Sequence, residues 1–179
     1  MLREDETIPD RTLTITPLLV ALLLAALLWL SLPAPAAEAA GARLDRAERA
    51  LLREVNRTRS AHGLHRLYRN RRLQKSADYH CWDMLNANFF AHTSSNGTSF
   101  ERRVKRFTRR RRLGENLAYV PSQNARHAAK QIVQMWMNSP GHRAALLSTS
   151  FSRIGIARRI GKWDDFRVAV YTADFASAR

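Results

Sequence analysis

Three short stretches of this chain carry residues able to do chemistry. Trp136-Met137-Asn138-Ser139-Pro140-Gly141-His142-Arg143 presents a histidine directly after a helix break, and Phe89-Phe90-Ala91-His92-Thr93-Ser94-Ser95-Asn96-Gly97 places another past an apolar helix end among turn formers. Gly114-Glu115-Asn116-Leu117-Ala118 sets a carboxylate and an amide ahead of an apolar run. An imidazole can bind a ligand or move a proton near neutral pH, and a carboxylate can serve as its acid or base partner. His92, Glu115 and His142 are 23 and 27 residues apart. Helical zinc enzymes commonly place paired histidines one turn apart, so here only the fold could unite the three.

The elements that must position them follow from periodicity. From residue 122 to 138, Ala125, Ala128, Ala129, Ile132, Val133, Trp136 and Met137 recur at helical spacing, with Ser122 expected as cap. Ser139-Pro140-Gly141 stops that helix, and proline suits the first position of the next, which puts His142 near a helix start. Upstream, Leu44, Ala47, Leu51, Leu52, Val55 and Thr58 predict a first helix ending near Gly63. Asn70 is expected to cap a second, to about Phe89, with Leu73, Ala77, Cys81, Met84 and Leu85 buried and His80 outside the site. Thr98-Ser99-Phe100-Glu101 reads as a capping box opening a short helix to Phe107. Leu117 to Val120 reads as a short strand. Residues 153–158 and 166–175 alternate as an antiparallel strand pair around a turn at 161–165. Helices first and strands last, without βαβ alternation, predict an α+β class.

With these motifs in order, Leu52-Arg53-Glu54-Val55-Asn56-Arg57-Thr58-Arg59, Asn88-Phe89-Phe90-Ala91-His92-Thr93-Ser94, Gly114-Glu115-Asn116-Leu117-Ala118 and Trp136-Met137-Asn138-Ser139-Pro140-Gly141-His142-Arg143, the chain resembles the CAP superfamily of cysteine-rich secretory, venom antigen and plant pathogenesis-related proteins. It is most similar to the short bacterial branch that lacks disulfides. The resemblance spans about residues 51–175 and implies an α-β-α sandwich with a small antiparallel sheet. It also implies a cleft of two histidines and acids that in some members holds zinc or another divalent ion. Carried over, the metal positions are His92, Glu115 and His142. Many eukaryotic members have a second glutamate three residues after the tryptophan, where this chain has Ser139, so weak Zn2+ or other divalent binding is expected.

The 179 residues, 45% hydrophobic, suffice for one domain of ordinary size and a leader. Residues 13–32 form an uncharged apolar run that as a helix would span a bilayer, at about 1.5 Å per residue. We read residues 1–33 as a signal peptide or membrane anchor, 34–43 as an Ala/Pro linker and 44–179 as the CAP domain. The tail Ala34-Pro35-Ala36-Ala37-Glu38-Ala39 offers cleavage sites, whereas Glu4, Asp5, Glu6 and Asp10 make a poor positive n-region. Export to the periplasm or exterior is expected either way. Cys81, the one cysteine, excludes an internal disulfide and reads as a packed thiol.

The formal charge of +15 comes from arginine, densest at Arg102, Arg103, Lys105 and Arg106 and at Arg109, Arg110, Arg111 and Arg112. Such a surface seeks anionic lipid or envelope polymer, and export makes nucleic acid a poor physiological partner. The domain is expected to be monomeric. The leading reading is an exported binding module rather than an enzyme. The alternative is a hydrolase in which Glu115, His92 or His142 activates a metal-bound water, or in which Ser94 or Ser139 acts as nucleophile beside a histidine. No G-x-S-x-G elbow supports a nucleophile.

Overall fold

In the computed structural model, which describes residues 44–178 apart from 122, 123 and 164, the first helix is α1, Arg46–Ala61. Asp45 caps it by accepting from the Glu48 amide at 2.7 Å, while the Glu48 carboxylate accepts from the Asp45 amide at 2.7 Å. It ends on Gly63, whose φ of +68° suits a residue without Cβ. The Gly63 and Leu64 amides donate back to the Ser60 and Arg59 carbonyls.

Helix α2, Arg71–Asn86, is capped by Asn70 as expected, but it stops three residues short of Phe89 because Asn88 turns into the left-handed region. Helix α3, Phe100–Lys105, corrects the expected capping box. Its cap is Ser99, which accepts from the Arg102 amide, while Thr98 is held one step earlier by the Asn96 side chain. Helix α4, Ala125–Asn138, is capped by Asn124 rather than Ser122, which lies outside the described residues. Helix α5, Pro140–Leu146, begins on its proline.

Strands β1 (Tyr68–Arg69), β2 (Leu113–Pro121), β3 (Arg153–Trp163) and β4 (Phe166–Ala176) form one sheet in the order β1-β3-β4-β2. β1 runs parallel to β3, and the other pairs are antiparallel. β2 is more than twice the length expected, because residues 113–121 pair with β4 throughout and draw Gly114-Glu115-Asn116 out of a loop into an edge strand.

Alternation sorts the sheet into two faces. Ile154, Ile156, Tyr171, Ala173 and Phe175 pack with Leu51, Val55, Ile132, Val133 and Trp136 of α1 and α4. Ala157, Val168, Val170 and Leu117 face Ala77, Cys81 and Met84 of α2. The result is the expected α-β-α sandwich. Gly155 permits the close approach of α2, since a Cβ there would lie 2.1 Å from backbone atoms of Leu73 and Gln74. Cys81 is sealed in this layer, and burial pushes its thiol up to about 12, so it is inert. Among the described residues no helix is long and apolar enough to cross a membrane, and the leader and linker lie outside them.

Candidate functional site

Strand β2 has a partner on one side only, and the site gathers at that edge. Glu115 points toward the α2 face, Asn116 toward the other. The Asn116 side-chain amide donates to the His142 carbonyl at 2.9 Å, which ties the start of α5 to the strand. His92 arrives from the opposite layer, in the loop released by the early end of α2. The two imidazoles thus meet around the strand edge, their ring centroids 6.1 Å apart.

Behind them lies a buried charge cluster. One Glu115 oxygen bonds His92 Nδ1 at 2.9 Å, and the other accepts from Arg103 Nη2. The Arg103 guanidinium is 1% exposed and also donates to the His92 carbonyl at 2.9 Å and the Ser94 hydroxyl at 3.0 Å. Burial alone would raise the Glu115 carboxyl. The His92 hydrogen bond and the Arg103 charge outweigh it and hold the pKa below the usual carboxylate range. Asp174 stands directly across the ladder from Glu115 and is fully buried, with no hydrogen bond to either oxygen. Burial, reinforced by the Glu115 charge, pushes its carboxyl well above the ordinary value, and the nearby Ser76 hydroxyl and Arg103 charge oppose this without reversing it. The two facing carboxyls are therefore pushed in opposite directions, Glu115 toward the charged form and Asp174 toward the protonated one. His80, in the wall of α2, donates from Nε2 to the Ala91 carbonyl across 2.9 Å, and burial lowers its pKa despite the pull of Glu115. His142 is lowered by burial and by the neighbouring His92, so it is a neutral ring that offers one donor and one acceptor.

Of the residues expected from the sequence, His92, Glu115 and His142 are brought together, and Arg109, Arg110, Arg111 and Arg112 lie elsewhere, where β2 begins and β4 ends. Arg110 bonds the carbonyls of Ser177 and Ala178, and Arg112 bonds the Ser150 hydroxyl at 2.7 Å, while Arg109 and Arg111 are exposed. Ser94 accepts from Arg103. Among the described residues no hydrogen bond joins Ser94 or Ser139 to His92 or His142.

The donor set was tested against a divalent ion. Both Glu115 oxygens are already engaged, a buried guanidinium sits against the carboxylate, and the cleft side retains only two imidazoles, fewer than the three protein ligands usual for an open zinc centre. Among the described residues no group of three His, Cys, Asp or Glu is arranged to hold an ion. The residues as placed do not fit a His₂Glu centre.

Sequence reasoning missed Arg103, Asp174 and the buried His80. Asp174 did leave a signal, as the lone acid in the apolar run of β4. Arg103 left none, being one arginine among many.

A sheet between two helical layers, with paired imidazoles over its edge strand, is the architecture of the SCP-like α+β proteins. The chain belongs to the CAP family: the profile described as "Cysteine-rich secretory protein family" matches residues 52–175. It is similar to YkwD of Bacillus subtilis (strain 168), 31% identical over 110 residues that cover 61% of this chain and 41% of YkwD. The chain spans less than half the length of the curated relatives it matches. Among solved structures, an extracellular SCP-domain protein from Bacillus anthracis is 29% identical with a TM-score of 0.59, covering 73% of this chain and 40% of that one. An outer surface protein of Borrelia burgdorferi, at 23% identity, shares the fold with a TM-score of 0.64 over 76% of this chain and 97% of its own.

Proposed function

We propose that this CAP domain is an exported binding module whose edge-strand cleft takes a small polar ligand between His92 and His142. The observation that carries the reading is the pair of imidazoles 6.1 Å apart, with His92 held at Nδ1 by Glu115 so that its Nε2 faces the cleft. The buried Arg103–Glu115 pair fixes that ring rather than contacting ligand. Similarity to an extracellular Bacillus anthracis protein supports export, in line with the apolar run at residues 13–32. Arg109 and Arg111, free of the packing that occupies Arg110 and Arg112, give the far end of the sheet a basic contact for anionic envelope polymer.

A thermal-shift panel of small carboxylates, phosphate, amides and Zn2+ on the full chain, beside His92→Ala/His142→Ala, tests this. We expect at least one small polar ligand to stabilise the parent and not the double variant, and micromolar Zn2+ to have no effect. Ester or peptide turnover that is lost in Glu115→Gln would replace the binding reading with the hydrolase.

A further inference from the structure

The sheet outruns the helix that covers one of its faces. α2 stops at Asn86, with Leu85 over Gly161, while β3 runs on to Trp163 and β2 to Pro121. On the uncovered stretch Phe90, Tyr119 and Trp163 pack against one another, with ring centroids 5.1 Å apart for Phe90 and Tyr119, 5.6 Å for Phe90 and Trp163 and 5.0 Å for Tyr119 and Trp163. Phe166, 75% exposed, stands beside them. Tyr119, Pro121, Trp163, Phe166, Arg167 and Val168 line an open cavity of about 410 Å³. Single exposed apolar side chains need no explanation, but an aromatic cluster around a cavity does.

We propose that this aromatic end of the β3–β4 hairpin is a membrane-docking surface that seats in the headgroup region of an anionic phospholipid bilayer. Tryptophan and tyrosine favour that region because each joins an apolar body to a polar tip. Lys162 and Arg167 flank the cluster, with Asp164 and Asp165 between them in sequence, so attraction to phosphate depends on the long basic stems reaching past the short acids while the rings sit deeper. The net charge of +15 complements anionic lipid. The side-chain polar atoms of the cavity are confined to the tips of Tyr119, Trp163 and Arg167, which suits rings seated among phosphates.

The basic end at Arg109 and Arg111 lies beyond the opposite end of β2, whose eight residue steps span about 27 Å, so the two ends can be probed separately. The inference rests on the exported-module reading but not on what the cleft binds.

The test uses the full chain with a polarity-sensitive fluorophore on Phe166→Cys, or, as the control at the basic end, on Thr149→Cys. Buried Cys81 stays unlabelled. With vesicles of phosphatidylglycerol and phosphatidylcholine we expect a severalfold rise in emission at position 166 only, weakened by salt. Adding Lys162→Ser and Arg167→Ser should reduce partitioning of the tip about fivefold per charge. A rise at position 149, no rise at 166, or a rise at 166 that tracks protein concentration without vesicles would each overturn the proposal, the last by assigning the patch to a second copy. Protease accessibility of the domain in whole cells reports export separately.

Discussion

The two faces of the sheet meet their helices on opposite terms. Toward α1 and α4 the contact is apolar, centred on Trp136, whose one polar atom donates to the Leu117 carbonyl at 2.8 Å. Toward α2 the apolar layer of Cys81 and Val170 gives way, within one strand, to Asp174, Glu115, Arg103 and His80. Along β4 the step is a single residue: Phe175 enters the core and Asp174 the charge cluster. The first face is stabilised mainly by area removed from water. The second is held by a chain of charges in which each member is costly without the next. Buried polar atoms left without hydrogen bonds lie mostly on the second face, on Asp174, Ser76, Arg103 and His80, with Asn116 and Ser152 the others, as expected where a site and not stability sets the residues.

The largest effects should look alike in size and differ in rescue. Trp136→Ala should cost about 3–5 kcal/mol as a large-to-small core change. Arg103→Ala should cost about 3–5 kcal/mol for a different reason, since it strands Glu115 as a buried charge. Lysine should not repair it, because one ammonium cannot fork to the His92 carbonyl, Ser94 and Glu115 together. Arg103→Met/Glu115→Gln, which removes both charges, should recover most of the loss in chemical denaturation. Failure to recover would mean that shape, not charge pairing, holds this face.

Asp174→Asn should act in the other direction. The folded-state pKa of Asp174 lies well above the unfolded value near 3.9, so between the two the native state keeps a proton that the unfolded state releases. Stability attributable to this group is therefore full below about pH 4 and falls as pH rises. Asparagine removes that loss. The variant should be more stable than the parent at pH 7 and no more stable at pH 4, a pattern thermal melts at the two pH values would show. Equal differences at both would mean that Asp174 is ionised and bonded in the native state.

Much of the first face was legible in the sequence and little of the second. Helical spacing from Ala125 to Met137 and the alternation after Arg153 located the core, because burial leaves a period. Asn70 and Pro140 marked helix starts through local bonding rules. The capping box expected at Thr98 and Glu101 matched the pattern without its geometry, while the one at Asp45 and Glu48 went unnoticed. The full length of β2 was hidden, because pairing with β4 is a long-range contact that Gly114-Glu115-Asn116 does not announce. His92, Glu115 and His142 stood out singly as residues set in turns, and the family resemblance joined them in one site. Arg103 could not be named at all, since its burial depends on where α3 lands.

The smallest predicted effect bears hardest on function. His142 is half-buried, and its backbone carbonyl accepts from the Asn116 side chain, a contact that alanine preserves. Its ring is held below the ordinary histidine pKa by burial and by His92, so it contributes least to stability where the unfolded chain is protonated. Stability linked to this group is present above about pH 6.5 and is lost as pH falls through that value. His142→Ala should thus change stability by no more than about 0.5 kcal/mol at pH 7, in the range of surface substitutions, and should make the fold slightly less sensitive to acid. Ligand-induced stabilisation should vanish in the same variant. If His142→Ala instead matches the damage of Trp136→Ala, the imidazole belongs to the structural side of the comparison, and the cleft loses the residue on which the binding reading depends.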